Sequence, residues 1–258
     1  MVFVFIFMLT NSCKKKDKDE VKDTDTDTDT ITTPFQIPNG AIIFNPDLTY
    51  GTVIDIDSNV YKTITIGTQT WMAENLKVTR YRNGDAIPNV TDTSAWNHIT
   101  TGAYCDYNNT QSNSTIYGRL YNWYAVNDSR KIAPAGWHIP SDGEWNILEK
   151  YLDNTVDTTA TGCVGTDIGK KLKEAGTTHW NSPNTGADNS SGFTALPSGG
   201  AHMSESPFLS ICSYGYWWTA SESYTNIALY RYLFYNSSTV ARYNSYKIYG
   251  FSVRCLKD

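Results

Sequence analysis

Beyond Gly176 the chain carries no helical period. A long polar stretch, TTHWNSPNTGADNSSGFTALPSGGAHMSES, is followed by YGYWWTASE, NIALYRYLFY, TVARYNSY and YGFSVRCLKD. The last four are short runs rich in aromatic and β-branched residues, broken by turn residues, and they read as strands. Upstream lies one well-specified helix start, in PAGWHIPSDGEWNILEKYL (134–152). Ser141 and Glu144 have the S-x-x-E spacing of a capping box, in which each side chain satisfies a backbone N–H of the other's turn. Trp145, Leu148 and Leu152 then fall on one stripe. A second helix fits TDIGKKLKEAG, with Ile168, Leu172 and Ala175 inward, Lys170, Lys171 and Lys173 in water, and Gly176 as the stop.

The earlier sequence adds strands. Val53, Ile54 and Ile56, then Val60, Tyr61, Ile64 and Ile66, flank the turn residues Asp57, Ser58 and Asn59, which indicates a hairpin. Trp71 to Leu76 reads as a returning strand. Residues 82–115 are loop-like, and YGRLYNWYAVND reads as a short helix. The order strands, helices, long loops, strands predicts an α+β domain with a small twisted antiparallel sheet and two main helices.

The net charge is −5, with 18% charged residues, so no basic stripe exists for nucleic acid. MVFVFIFMLTNSC is too short to span a bilayer, which needs roughly 20 apolar residues, and has the size of a signal-peptide core. Cys13 after that run resembles a bacterial lipobox, although Leu9 stands four positions before the cysteine rather than three. The expected plan is a signal peptide over 1–13 ending at a lipidated Cys13, a charged Asp-Thr tether over 14–34, a lead-in segment over 35–52 and one domain over 53–258. The tether is too polar to offset its ordering entropy. The charged run after Cys13 resembles surface-export signals of Bacteroidota lipoproteins. The expected location is therefore the outer membrane, facing outward, with a periplasm-facing orientation as the alternative, and with the membrane as a partner through lipid. Outside the cytoplasm, Cys105, Cys163, Cys212 and Cys255 predict two disulfides with three possible pairings.

Six stretches carry a resemblance. VYKTITIGTQTWMAENLKVTRYRNGDAIPNV, YGRLYNWYAV, APAGWHIPSDGEWNILEKYL, GKKLKEAGTTHWNSPNTGADNSSGFTALPSGG, YGYWWTASE and GFSVRCLKD look like the Fibrobacter succinogenes major paralogous domain. The resemblance covers roughly Val53 to Asp258 and implies a secreted or lipoprotein domain. More distantly, IPSDGEWNILEKYL, YWWTASE and YGFSVRC resemble blocks of formylglycine-generating-enzyme-like domains. That likeness implies a C-type-lectin-like fold with long irregular loops.

No catalytic constellation stands out. His98, His138, His179 and His202 are scattered without HExxH spacing, and no G-x-S-x-G elbow occurs. His138 with Asp142 and Glu144 is the one conceivable acid–base set, but the cap already employs Glu144. Cys212 precedes Trp217 and Cys255 lies far beyond it, unlike the reactive pair of the formylglycine-generating enzymes. No EF-hand spacing or CxxC pair is present, so neither a metal nor a cofactor is expected. A lectin-like fold binds on its loops, and sugars call for flat aromatic faces beside polar groups. The ligand-binding candidates are Trp180, Asn181, Asn184 and Asp188 in HWNSPNTGADN, and Trp217 and Trp218 in GYWWTASESYTN. Adjacent strand residues point to opposite faces, so only one of the last two is available on a given side. The expectation is a non-catalytic module for a glycan or surface-protein ligand; the alternative is an envelope enzyme on the formylglycine-generating-enzyme-like scaffold.

Overall fold

The period-two runs condense into sheets because each has one face to bury. A computed structural model of the chain describes residues 36–203 and 206–258. Cys13 and the tether over 14–34 lie outside the described residues. Residues Ile37–Asp258 form one unit. Its elements, in chain order, are strands β1 (Gly51–Ile54), β2 (Val60–Ile66) and β3 (Gln69–Met72), helix α1 (Thr93–His98), β4 (Tyr104–Cys105), α2 (Gln111–Tyr117), β5 (Leu120–Tyr121) and α3 (Trp123–Val126). There follow β6 (Trp137–His138), α4 (Asp142–Leu152), β7 (Gly162–Val164), α5 (Ile168–Leu172), β8 (Gly200–Met203) and β9 (Ser206–Leu209). The chain ends with β10 (Tyr214–Tyr224), β11 (Ile227–Phe234), β12 (Val240–Tyr246) and β13 (Leu256–Lys257).

Two sheets organise the unit. One has the order β1-β2-β3-β13-β6, the other β10-β11-β12-β7, and all their pairings are antiparallel. The predicted hairpin is β1–β2, with Ile54 opposite Val60. The capping box of α4 forms: Ser141 Oγ accepts from the Glu144 N–H, and Glu144 accepts from the Ser141 N–H at 2.7 Å. Trp145 and Leu148 are buried beneath it.

The α+β, lectin-like expectation is overturned. Strand accounts for 31% of the chain and helix for 16%, and the antiparallel sheets include a curled half-barrel. The second main helix shrinks to the five residues of α5. Lys173 is the cause. Instead of facing water it is fully buried, and its ammonium donates to the carbonyls of Ser237 at 2.8 Å, Phe234 at 3.3 Å and Thr185 at 3.4 Å. Its backbone turns extended, and Glu174 N–H bonds to the Ala195 carbonyl rather than continuing the helix. Of YGRLYNWYAVND, Tyr117 ends α2, Leu120–Tyr121 is a strand and Trp123–Val126 is a single helical turn.

The sequence motifs meet at one buried centre. Arg254 has no exposure, and it donates to Asn75 Oδ1 at 2.8 Å, Thr194 O at 2.8 Å, Met72 O at 3.3 Å and the Phe193 carbonyl. Its guanidinium lies 4.3 Å over the Phe193 ring. Asn75 Oδ1 also accepts from Trp217 Nε1 at 2.9 Å, while Asn75 Nδ2 donates to Tyr117 O at 2.8 Å and Ser252 Oγ at 3.3 Å. Phe193, Trp71, Trp145 and Trp217 form the aromatic core beside it.

A second polar clamp fixes α4 to the second sheet. Arg231 and Arg242 sit directly opposite each other on β11 and β12, which by itself is repulsive. Asp142 bridges both, at 2.7 Å from each. The fully buried Arg231 also reaches Glu149 at 2.5 Å and Asn146 at 2.8 Å, so positions 142, 146 and 149 make one polar stripe of α4. Removing one partner of such a buried pair strands the other. Arg231→Met is therefore expected to cost about 3–5 kcal/mol in urea unfolding, with much of the loss recovered when Glu149→Leu is added. An Arg231→Met loss under ~1 kcal/mol would contradict the clamp.

Candidate functional site

The sequence-predicted ligand residues do not form a surface. Trp180, Trp217 and Trp218 are all buried, each with its indole N–H satisfied at 2.9 Å, by Ala195 O, Asn75 Oδ1 and Tyr121 O respectively. Trp180 sits in a polar stretch, but that stretch folds over it. Asn184 is buried as a loop staple, its Nδ2 donating to Glu174 O at 2.9 Å and Gly176 O at 2.6 Å. Asn181 is exposed and bonds Ser213 Oγ at 3.0 Å; Asp188 is exposed and pairs with Lys170 at 3.2 Å.

The candidate acid–base set is engaged in structure. His138 Nε2 meets Glu144 Oε1 at 2.9 Å and its Nδ1 meets Asp258 Oδ1 at 2.7 Å. Both partners are acceptors, so the geometry holds an imidazolium. Burial opposes that charge, but the hydrogen bonds and charges of Asp258 and Glu144 outweigh it and raise the His138 pKa. Burial would raise Glu144, yet the Ser141 N–H and hydroxyl and the His138 ring bring it below its ordinary value. Asp142 is taken up by the two arginines. His179 repeats the pattern inside the protein, between Glu174 Oε2 at 2.7 Å and Gly40 O at 3.1 Å. Two clefts, of about 240 and 270 Å³, open beside Phe44 and beside Ile132, and no histidine or cysteine lines either.

The cysteine expectation is also corrected. Cys105, Cys212 and Cys255 are free, buried thiols, so the two disulfides expected among them and Cys163 do not form. Burial pushes all three free thiols up in pKa, away from the reactive thiolate. Each sits in an apolar cluster as a small core residue.

What remains open is the far end of the second sheet. Strands β10 and β11 join through the two-residue turn Thr225–Asn226, and Tyr224 stands opposite Ile227, which stands opposite Tyr246. Directly opposed residues share a face, so these three form one row across three strands. Tyr224 is 69% exposed and Tyr246 53%. A register shift between Glu222 and Tyr224 marks a bulge, the device that re-aims a strand end. The next row pairs the half-exposed Leu229 with the exposed Asn244, whose amide lies 3.5 Å from Ser223 Oγ. Nearby charges are mutually paired. Lys247 holds Glu222, donates to Thr225 O at 2.7 Å and lies 4.4 Å over the Trp123 ring, and Arg242 holds Asp142. Tyr224 and Asn226 fall within the segment singled out from sequence. Tyr246 was missed; its signal is the polar alternation Arg242, Asn244, Tyr246, an aromatic ring on a strand's wet face.

The family model for the Fibrobacter succinogenes major domain matches residues 64–257. The chain belongs to that family. No curated protein and no solved structure matches it. In this Fibrobacter succinogenes major domain the matched span contains Asn75, Trp217 and Arg254, the α4 clamp and the Tyr224–Tyr246 row.

The His138 bridge gives a pH signature. A raised histidine pKa contributes stability that is complete below the unfolded value, about 6.5, and is lost as pH rises through the folded one. The depressed Glu144 contributes above its unfolded value of roughly 4.3 and fails as pH falls. Melting temperature is expected to decline from about pH 6 toward 8, and His138→Gln to decline less steeply over that interval. Parallel curves for the two proteins would rule out the bridge.

Proposed function

We propose that the chain is a cell-envelope lipoprotein whose family domain is a non-catalytic binding and surface-interaction module. The observation that carries the binding part is the exposed Tyr224–Ile227–Tyr246 row. The titratable residues considered for chemistry, by contrast, are consumed by caps, clamps and bridges. Aromatic rings held on a sheet end lose little entropy on contact, and such residues anchor interfaces when partners close over them. Glu144 already accepts from Ser141 and His138, and His138 bridges Glu144 and Asp258, so both side chains are engaged by neighbours in the folded protein.

The envelope part rests on sequence. Cys13 follows an apolar run of signal-peptide size, and the next residues, KKKDKDEVKDTDTDTDTITT, suit a solvated spacer between a lipid anchor and a folded body. Its orientation on the outer face of the outer membrane rests on the same charged run. Neither nucleic acid nor metal enters this reading.

Two measurements test it. Globomycin treatment of expressing cells is expected to accumulate the unprocessed form, and Cys13→Ser to give a protein that leaves the membrane fraction; a mature, unlipidated wild type refutes the anchor. For the module, Tyr224→Ala with Tyr246→Ala is expected to cost no more than about 1.5 kcal/mol of folding stability, since both rings are more than half exposed and the loss is mainly the edge contact of Tyr246 with Tyr249. The same double variant is expected to abolish attachment of the displayed domain to the surface that the wild type coats. Full attachment by the double variant refutes the assigned surface.

A further inference from the structure

We infer that the Tyr224–Ile227–Tyr246 row is a platform for an uncharged, extended oligosaccharide, an assignment that rests on the binding-module reading and adds the ligand's chemistry. Three observations carry it.

The first is spacing. Tyr224 and Tyr246 flank Ile227 on adjacent strands, so their backbones stand two strand spacings apart, about 10 Å. An extended chain of β-linked pyranose rings advances two sugars over a similar distance. Alternate sugars can then rest their C–H faces on the two tyrosine rings, with the intervening sugar over Ile227. A flat three-strand row suits the interior of a chain; it has no pocket to enclose a chain end.

The second is the polar edge. Asn226 in the turn, and Asn244 and Ser223 beside the row, are uncharged donors and acceptors. Sugar hydroxyls are both donors and acceptors, and neutral amides and hydroxyls match them without the desolvation cost that a charge incurs.

The third is charge complementarity. The ionic groups around the row are already spent on one another: Glu222 with Lys247, and Asp142 and Glu149 with Arg231 and Arg242. An acidic polysaccharide or a nucleic acid would find no unpaired cation among these groups, and a basic peptide no unpaired anion. A neutral ligand meets no such deficit. The row is also narrow. Two exposed rings and one half-exposed isoleucine make a small anchor for a folded protein, whose interface normally buries about 800 Å² per partner.

The test uses the full folded chain in titration calorimetry with three probes: cellohexaose and mannohexaose as neutral β-linked chains, and hexagalacturonate as an acidic one. Binding of at least one neutral hexaose is expected, with no binding of hexagalacturonate. Tyr224→Ala and Tyr246→Ala are each expected to weaken binding about tenfold or more, the loss of one anchoring contact. Tyr246→Phe is expected to stay within about threefold, because the ring face is kept. Tyr151→Ala is the control, since Tyr151 is 64% exposed on α4 but lies off the row. Unchanged affinity in the Tyr224→Ala, Tyr246→Ala double variant overturns the platform, as does preference for the acidic hexamer. If no neutral hexaose binds while the double variant still abolishes surface attachment, the sugar assignment fails and the binding module stands. If neither effect occurs, both fail.

Discussion

The structure depends on a guanidinium buried without a carboxylate. Arg254 is enclosed, and its hydrogen-bond partners are one amide oxygen and three backbone carbonyls. Burial of an ion costs several kcal/mol unless its donors are matched, and burial here lowers the Arg254 pKa to about 9. The protein meets that cost with backbone geometry. Met72 comes from β3, Phe193 and Thr194 from the long connection before β8, and Asn75 from the turn after β3. The donor arrives from the segment just before β13. The fork ties these pieces to one another. Asn75 extends the constraint to Trp217 of β10 and to Tyr117 of α2. The quoted motifs MAENL, GFTALP, YWW and FSVRC are therefore pieces of one polar keystone, and their spacing is set by folding.

This explains what could be read from the sequence. The capping box at Ser141 and Glu144 and the β1–β2 hairpin are local, so their signals survive in a linear chain. The α4 stripe of Asp142, Asn146 and Glu149 is local in spacing, but its meaning needs Arg231, 82 residues beyond Glu149. Lys173 shows the opposite failure. Its position in an amphipathic pattern reads as solvent-facing, yet three distant carbonyls draw its ammonium inside and stop the helix. Trp180 fails for a related reason: a polar loop reads as exposed, whereas this loop spends its polar groups on itself. His179 bridges Glu174 to Gly40, and Asn189 closes on Thr194, which leaves the indole enclosed. The free cysteines are the plainest case, because a compartment argument cannot report that three thiols are packed as unpaired core residues, Cys105 and Cys212 in one apolar cluster and Cys255 in another.

The candidate site follows from the same economy of polar groups. Charges and buried amides are committed near the keystone and along α4, where they fix the sheets. At the far end of β10–β12 Tyr224 and Tyr246 stay more than half exposed, Tyr246 edge-on to Tyr249, while the neighbouring charges are paired. Rigidity at one end of the sheet thereby presents a neutral aromatic row at the other. The bulge beside Tyr224 belongs to this arrangement, because an uninterrupted register would set Ser223 opposite Ile227 in its place.

The central claim is that Asn75 and Arg254 act as one unit, and a double-mutant cycle tests it directly. Urea unfolding of the wild type, Asn75→Ala, Arg254→Met and the double variant gives the coupling between the two sites. The account predicts a coupling of at least about 1.5 kcal/mol with an unchanged urea dependence, as expected for partners in one buried network. Losses that add to within about 0.5 kcal/mol would show that the two residues contribute independently, and would contradict it.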